Sequence, residues 1–114
     1  MSKQSKNKLM LPAKVKDALG YVGRNIKLAR VNRAFTQQHL ADLIGVDRNT
    51  IRRIENGDPG VSFGLIAHTL WALQLDQDLQ ILAKPENDKL GLSLSRANMK
   101  RRVRTGKLDD EYDF

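Results

Sequence analysis

The chain has 114 residues, with 20 Lys+Arg against 13 Asp+Glu, a net charge of +7 and a pI near 10.0. That length holds one domain with tails and not two. The lack of cysteine removes disulfide frameworks and cysteine-based metal sites, and no apolar run is long enough for a membrane span or a secretory signal. The expected address is therefore cytoplasmic and reducing. The positive balance asks for a polyanionic partner, although a membrane surface or a ribosomal role fits the pI alone equally well.

Residues 1–19 form a basic arm. Met1 to Leu11 is polar and lysine-rich (Lys3, Lys6, Lys8), with little to bury, and is expected to be mobile. Tracking phosphates or a minor groove and serving as a plain leader both fit it. Pro12 suits a first helical position, and Ala13 to Leu19 allows a helical turn or two. A domain is expected over residues 20–83. Its first firm helix is Tyr21 to Asn32, with Val22, Ile26 and Ala29 as the apolar stripe and Arg24, Lys27 and Arg30 on neighbouring faces. Asn32-Arg33-Ala34 makes a turn, and Phe35 plugs the core.

Thr36 N-caps a second helix in which Leu40, Leu43 and Ile44 fall on one face. Gly45 follows the last apolar residue, where a left-handed backbone is needed. Val46 points back inward, and Asp47 caps a third helix. That helix buries Ile51 and Ile54 and carries Arg48, Asn49, Arg52 and Arg53 on about two turns. Asn56-Gly57 is its stop signal.

Asp58-Pro59-Gly60-Val61 reads as a loop. Ser62 then caps a fourth helix, Phe63 to Leu73, whose stripe is Phe63, Ile66, Ala67, Leu70 and Leu73. Trp71 lies off that stripe, a position open to core packing or to anchoring a dimer or partner. Asp76 is expected to cap a short fifth helix with Leu79, Leu82 and Ala83. An edge strand fits the alternation of Leu79 and Ile81, but Asp76 and Asp78 favour a helix start.

Residues 84–114 form a charged tail. Pro85, Asn87, Asp88 and Gly91 break structure, while Leu90, Leu94 and Met99 suffice for a transient helix or a docking segment. A basic cluster (Lys100, Arg101, Arg102, Arg104) precedes an acidic one (Asp109, Asp110, Glu111, Asp113), and such blocks are solvated as a rule.

The distribution of charge is more telling than its total. Residues 1–34 carry 9 basic and 1 acidic side chain, and residues 84–114 carry 8 and 6. Between them, residues 35–83 carry 3 and 6, and the three cations are Arg48, Arg52 and Arg53. A merely solvated surface does not explain why all three sit on one short helix.

The stretch TQQHLADLIGVDRNTIRRIENG resembles the helix-turn-helix of the Xre/phage-repressor (Cro/cI-type) family. An ordinary helical hairpin would not require its Thr-Gln, Leu-Ala, Gly-Val and Ile-Glu-Asn-Gly together. The resemblance implies an all-α, compact five-helix lambda-repressor-like DNA-binding domain with flexible N- and C-terminal tails. The second helix of such a motif enters the major groove. By position, Arg48, Asn49 and Arg53 are then the base-contacting residues, with Arg52 reaching a base or a phosphate. Thr36, Gln37, Thr50 and Asn56, with the Gly57 amide, match backbone-contacting positions, and Lys27 and Arg24 add phosphate contacts. Arg30 and Glu55 match a structural ion pair. The implied partners are double-stranded DNA with a near-palindromic operator and a second copy in a homodimer.

The segments GDPGVSFG and LWALQLDQDLQILAKPENDKLG, with the arginine-rich tail, resemble HipB-type antitoxins. These repress their own operon and hold a HipA-like kinase toxin. A stand-alone Xre regulator or phage-type repressor remains open, as does a protein-interaction adaptor without DNA, which would not need three arginines on one helix. An enzyme is the weakest reading. His39 and His68 lie on different helices, with no metal-ligand spacing, no cofactor signature, no phosphate-binding Gly loop and no nucleophile–base arrangement. RNA binding fits the charge, but the aromatic platforms on which single strands stack are missing.

Overall fold

The computed structural model describes residues 10–105, all-helical and without a strand among them. They fall into two units, one ending at Leu79 and one beginning at Gln80. The arm over residues 1–9 and the acidic cluster at 109–113 lie outside the described residues.

In the first unit α1 runs from Ala13 to Asn32 without a break. The separate turn expected over Ala13–Leu19 is thus part of the first helix. The two interior glycines, Gly20 and Gly23, each cost only about 1 kcal/mol relative to alanine and do not stop a helix anchored by burial of Gly23, Ile26, Ala29 and Arg30. Pro12 is the N-cap and not the first helical residue, and its carbonyl accepts from the amides of Val15 and Lys16. The buried face of α1 is Gly23, Ile26, Ala29 and Arg30, while Val22 of the expected stripe is exposed. The helix is turned toward Gly23 because a backbone packs there. A Cβ on Gly23 would lie 2.5 Å from the Glu55 carbonyl oxygen and 2.8 Å from the Gly57 nitrogen.

Helix α2 is Gln37–Ile44, α3 is Arg48–Glu55 and α4 is Phe63–Ala72. Each starts from a side-chain cap. Thr36 Oγ1 accepts from the His39 amide at 2.9 Å, Asp47 Oδ1 from the Thr50 amide at 2.8 Å, and Ser62 Oγ from the Leu65 amide at 3.1 Å. These three residues satisfy amides that have no partner inside the helix.

The four helices also end alike. A residue with positive φ follows each one: Ala34 (57°), Gly45 (76°), Gly57 (72°) and Gln74 (62°). The next amide reaches back five residues, Phe35 to Arg30, Val46 to Ala41, Asp58 to Arg53 and Leu75 to Leu70. This is the Schellman closure, in which the residue after the left-handed one returns over the last turn. Phe35, Val46 and Leu75 accordingly pack against the core.

That core is Ile26 and Ala29 of α1, Leu40, Ala41 and Ile44 of α2, Ile51 and Ile54 of α3, and Leu73 after α4. Leu43, expected on the buried face of α2, is exposed. In α4, Thr69, with Leu73 at the C-cap, centres the buried side, and Leu65, Ile66 and Leu70 are partly buried beside them. Phe63, expected in the core stripe, is 65% exposed, and Trp71 is 59% exposed. The helix is rotated because Thr69 is inside. Its hydroxyl donates to the Leu65 carbonyl at 2.8 Å, so burying it leaves no polar atom stranded. At about 100° per residue, Trp71 then falls on the opposite side of the helix.

The expected fifth helix is a 3-10 segment, Asp76–Ile81, which starts at Asp76 and stops before Leu82 and Ala83. In the second unit a 3-10 turn, Pro85–Asn87, leads into α5, Lys89–Thr105. The segment Leu90–Met99 is thus part of a continuous helix that also takes in the basic cluster. Asp88 caps it, accepting from the Gly91 amide at 2.9 Å. No helix among the described residues is long and apolar enough to cross a membrane.

Candidate nucleic-acid interface

Helix α3 is short, and its two faces differ sharply. Ile51, Ile54 and Glu55 are buried, whereas Arg48, Asn49, Arg52, Arg53 and Asn56 are exposed. At about 100° per residue, those five exposed positions span an arc of about 140°. The single acid of the helix, Glu55, faces inward, so the exposed arc carries only positive charge and two carboxamides.

Glu55 is held by three donors. Arg30 Nε lies 2.6 Å from Oε2, and Arg30 Nη2 (3.2 Å) and Gln37 Nε2 (3.0 Å) both reach Oε1. Arg30 also donates from Nη1 to the Phe35 carbonyl at 2.8 Å. One carboxylate thereby ties α1, the start of α2 and the end of α3 together. The Gln37 amide group, which the sequence resemblance offers to a phosphate, is engaged in this cluster. The Gly57 amide, offered in the same way, donates to the Ile54 carbonyl at 3.1 Å within the helix cap.

At the other end of α3, Asp47 Oδ1 accepts from both the amide (2.8 Å) and the hydroxyl (2.6 Å) of Thr50. The Thr50 hydroxyl bond, then its amide bond, hold the Asp47 carboxyl below the usual carboxylate range, and the charge of Arg53 adds a smaller contribution. Thr50 itself is half-buried, while Thr36 is exposed at the start of α2. Arg24 and Lys27 are exposed on α1, with the Arg24 guanidinium 4.6 Å from the centre of the Tyr21 ring. Lys27 lies one turn beyond Gly23 on α1.

Two residues that sequence reasoning passed over shape this surface. Gly23 lets α1 touch the backbone at the end of α3. Asp58 Oδ2 accepts from Arg53 Nε at 2.8 Å, and its Oδ1 accepts from the Gly60 amide at 2.7 Å. Asp58 stands five residues after Arg53, across a helix end, so no helical i,i+4 pattern announces the pair. The Schellman geometry, in which those two positions meet, was the available signal.

Both histidines are exposed and make ring contacts. His39 meets the Phe35 ring edge-on at 4.6 Å, and His68 lies 5.6 Å from the Trp71 ring. Among the described residues no three His, Cys, Asp or Glu side chains converge as a metal site would need.

Against known protein families, residues 23–87 match the family described as a helix-turn-helix domain, which covers more than half of the chain. The chain belongs to the helix-turn-helix domain family. No curated protein and no solved structure matches it. In helix-turn-helix terms, α2 is the first helix of the motif, Gly45-Val46-Asp47 is the turn, and α3 is the second, the position that in such motifs enters the major groove. The helix-turn-helix is a DNA-binding element, and the Arg30–Glu55–Gln37 cluster ties α1, α2 and α3 together beneath it.

Proposed function

We propose that this helix-turn-helix protein is a sequence-specific DNA-binding transcriptional repressor that reads its operator with α3. The observation that carries the reading is the exposed arc of Arg48, Asn49, Arg52, Arg53 and Asn56, with the only acid of the helix turned inward. Arginine matches guanine O6 and N7 with two parallel donors, and asparagine matches adenine N6 and N7. Each good pair discriminates by ~1–3 kcal/mol. The operator therefore holds both G·C and A·T pairs.

The exposed face of α3 covers only a few base pairs. Two copies on half-sites about 34–36 Å apart would double the reading, which favours a homodimer on a near-palindromic operator. The exposed ends of α2 and α3, with Lys27 and Arg24, supply phosphate contacts that set the register. The test is selection of preferred duplexes from a random pool, followed by fluorescence anisotropy with Asn49→Ala and Arg48→Ala. Discrimination should be lost at particular base pairs. An equal loss on every sequence would contradict base reading.

Within this function, the likeness of the segments after α3 to HipB-type antitoxins supports an autorepressor that also holds a HipA-like kinase toxin. Such a toxin would dock away from Arg48–Arg53, so that DNA and toxin bind together. Co-purification from the native cell should bring a kinase-like protein along. Recovery of a lone homodimer that binds its own promoter would favour a solitary repressor.

A further inference from the structure

In three of the four Schellman closures of the first unit, the residue after the left-handed position is apolar and packs against the core: Phe35, Val46 and Leu75. At the end of α3 that residue is Asp58, and the last-turn residue it returns over is Arg53. The contact usually made by two apolar groups is here an ion pair on the surface, Arg53 Nε to Asp58 Oδ2 at 2.8 Å, with side chains 44% and 36% exposed. An ion pair that open to water does little for the fold.

We infer that Asp58 is a positioning residue for base recognition by Arg53, an inference that rests on the proposed reading of α3. The carboxylate is itself fixed, because its second oxygen accepts from the Gly60 amide at 2.7 Å and its own amide donates to the Arg53 carbonyl at 3.1 Å. It takes one of the five guanidinium donors, the inner Nε–H, and the outer fork on the two terminal nitrogens is the part suited to guanine. Holding a long, rotamer-rich side chain in advance lowers the ordering cost at the correct base pair. A carboxylate near the DNA-facing arc also repels phosphates, which weakens binding to every sequence alike. Asp58 thus exchanges general affinity for selectivity.

The test uses the full chain and the duplex it prefers from a random pool, with every single base-pair variant of that duplex measured by anisotropy. Asp58→Ala should lower discrimination about tenfold at the base pair where Arg53→Ala is also indifferent, and should bind scrambled duplex as well or better. Adding Asp58→Ala to Arg53→Ala should change nothing further at that pair. Asp58→Asn keeps an oxygen for the Gly60 amide and should melt like the parent, yet show the same selective loss in smaller degree. An equal shift on all duplexes overturns the assignment. So does sharper discrimination, which would make Asp58 a latch that withholds Arg53. If the parent protein itself prefers no sequence, base reading by α3 fails and the assignment falls with it. A discriminating parent with an unaffected Asp58→Ala removes only the role of Asp58.

Discussion

A carboxylate inside a protein is costly unless its donors are already in place, and Glu55 has three. Glu55→Ala should destabilise the domain by ~3–5 kcal/mol, since Arg30 is left charged and buried. Replacing both partners by apolar residues of similar volume should recover most of that loss, measured by denaturant unfolding. Equal destabilisation by the single and double changes would contradict it. Asp47 sits at the other end of the same helix. Its folded-state pKa is depressed, so the stability it contributes is in place above its unfolded-state value and drains away as pH falls through the folded value. Asp47→Asn, which keeps a capping oxygen, should remove that part of the acid dependence, followed by helical circular dichroism between pH 5 and 2 or so. At this scale much was legible in the sequence. The caps Thr36, Asp47 and Ser62 and the turn at Gly45 rest on local chemistry and stand where their residue types put them. Asp58 was not legible as a partner of Arg53, because its meaning depends on how the helix ends.

Helices were legible by existence and less so by orientation. α2, α3 and the start of α4 follow their caps closely. The faces of α1 and α4 were read correctly at Ile26, Ala29, Ile66, Leu70 and Leu73, but Val22 and Phe63 of the same apolar stripes are exposed. A glycine at a backbone contact (Gly23), a charged residue with three acceptors in reach (Arg30) and a self-satisfied threonine (Thr69) took the buried places instead. None of these counts as apolar in a periodicity. The helix ends carry a prediction of their own. Ala34 holds φ 57°, where a Cβ is disfavoured by ~1–2 kcal/mol, whereas glycine gives back ~0.5–1 kcal/mol of chain entropy. Ala34→Gly should therefore stabilise the domain by ~0.5–1 kcal/mol, read as a higher denaturant midpoint at unchanged slope. A lower midpoint would mean the left-handed strain is relieved in some other way.

Over the whole molecule, charge is arranged against expectation for a uniformly basic protein. Residues 35–83 are net acidic, and their three cations share one exposed arc of α3. Lys27 stands outside that arc and should act only on phosphates. Lys27→Ala should weaken binding to all duplexes alike and lessen the slope of log K against log salt by ~0.9. A change confined to one base pair would place Lys27 among the readers instead. The sequence located the charged helix and the four-helix frame around it. It offered only a transient helix or docking segment over Leu90–Met99 where α5 is continuous from Lys89 to Thr105, because turn-forming residues around Gly91 hid a helix that Asp88 begins.

The contact at Gly23 has a last consequence. Where α1 passes the end of α3, main chain meets main chain with no side chain between them as a cushion. On the proposed reading of α3, a helix backed so closely by main chain has little room to tilt toward an awkward site, and the duplex does the yielding. Operators with readily kinked steps should be favoured even at letters the protein never touches.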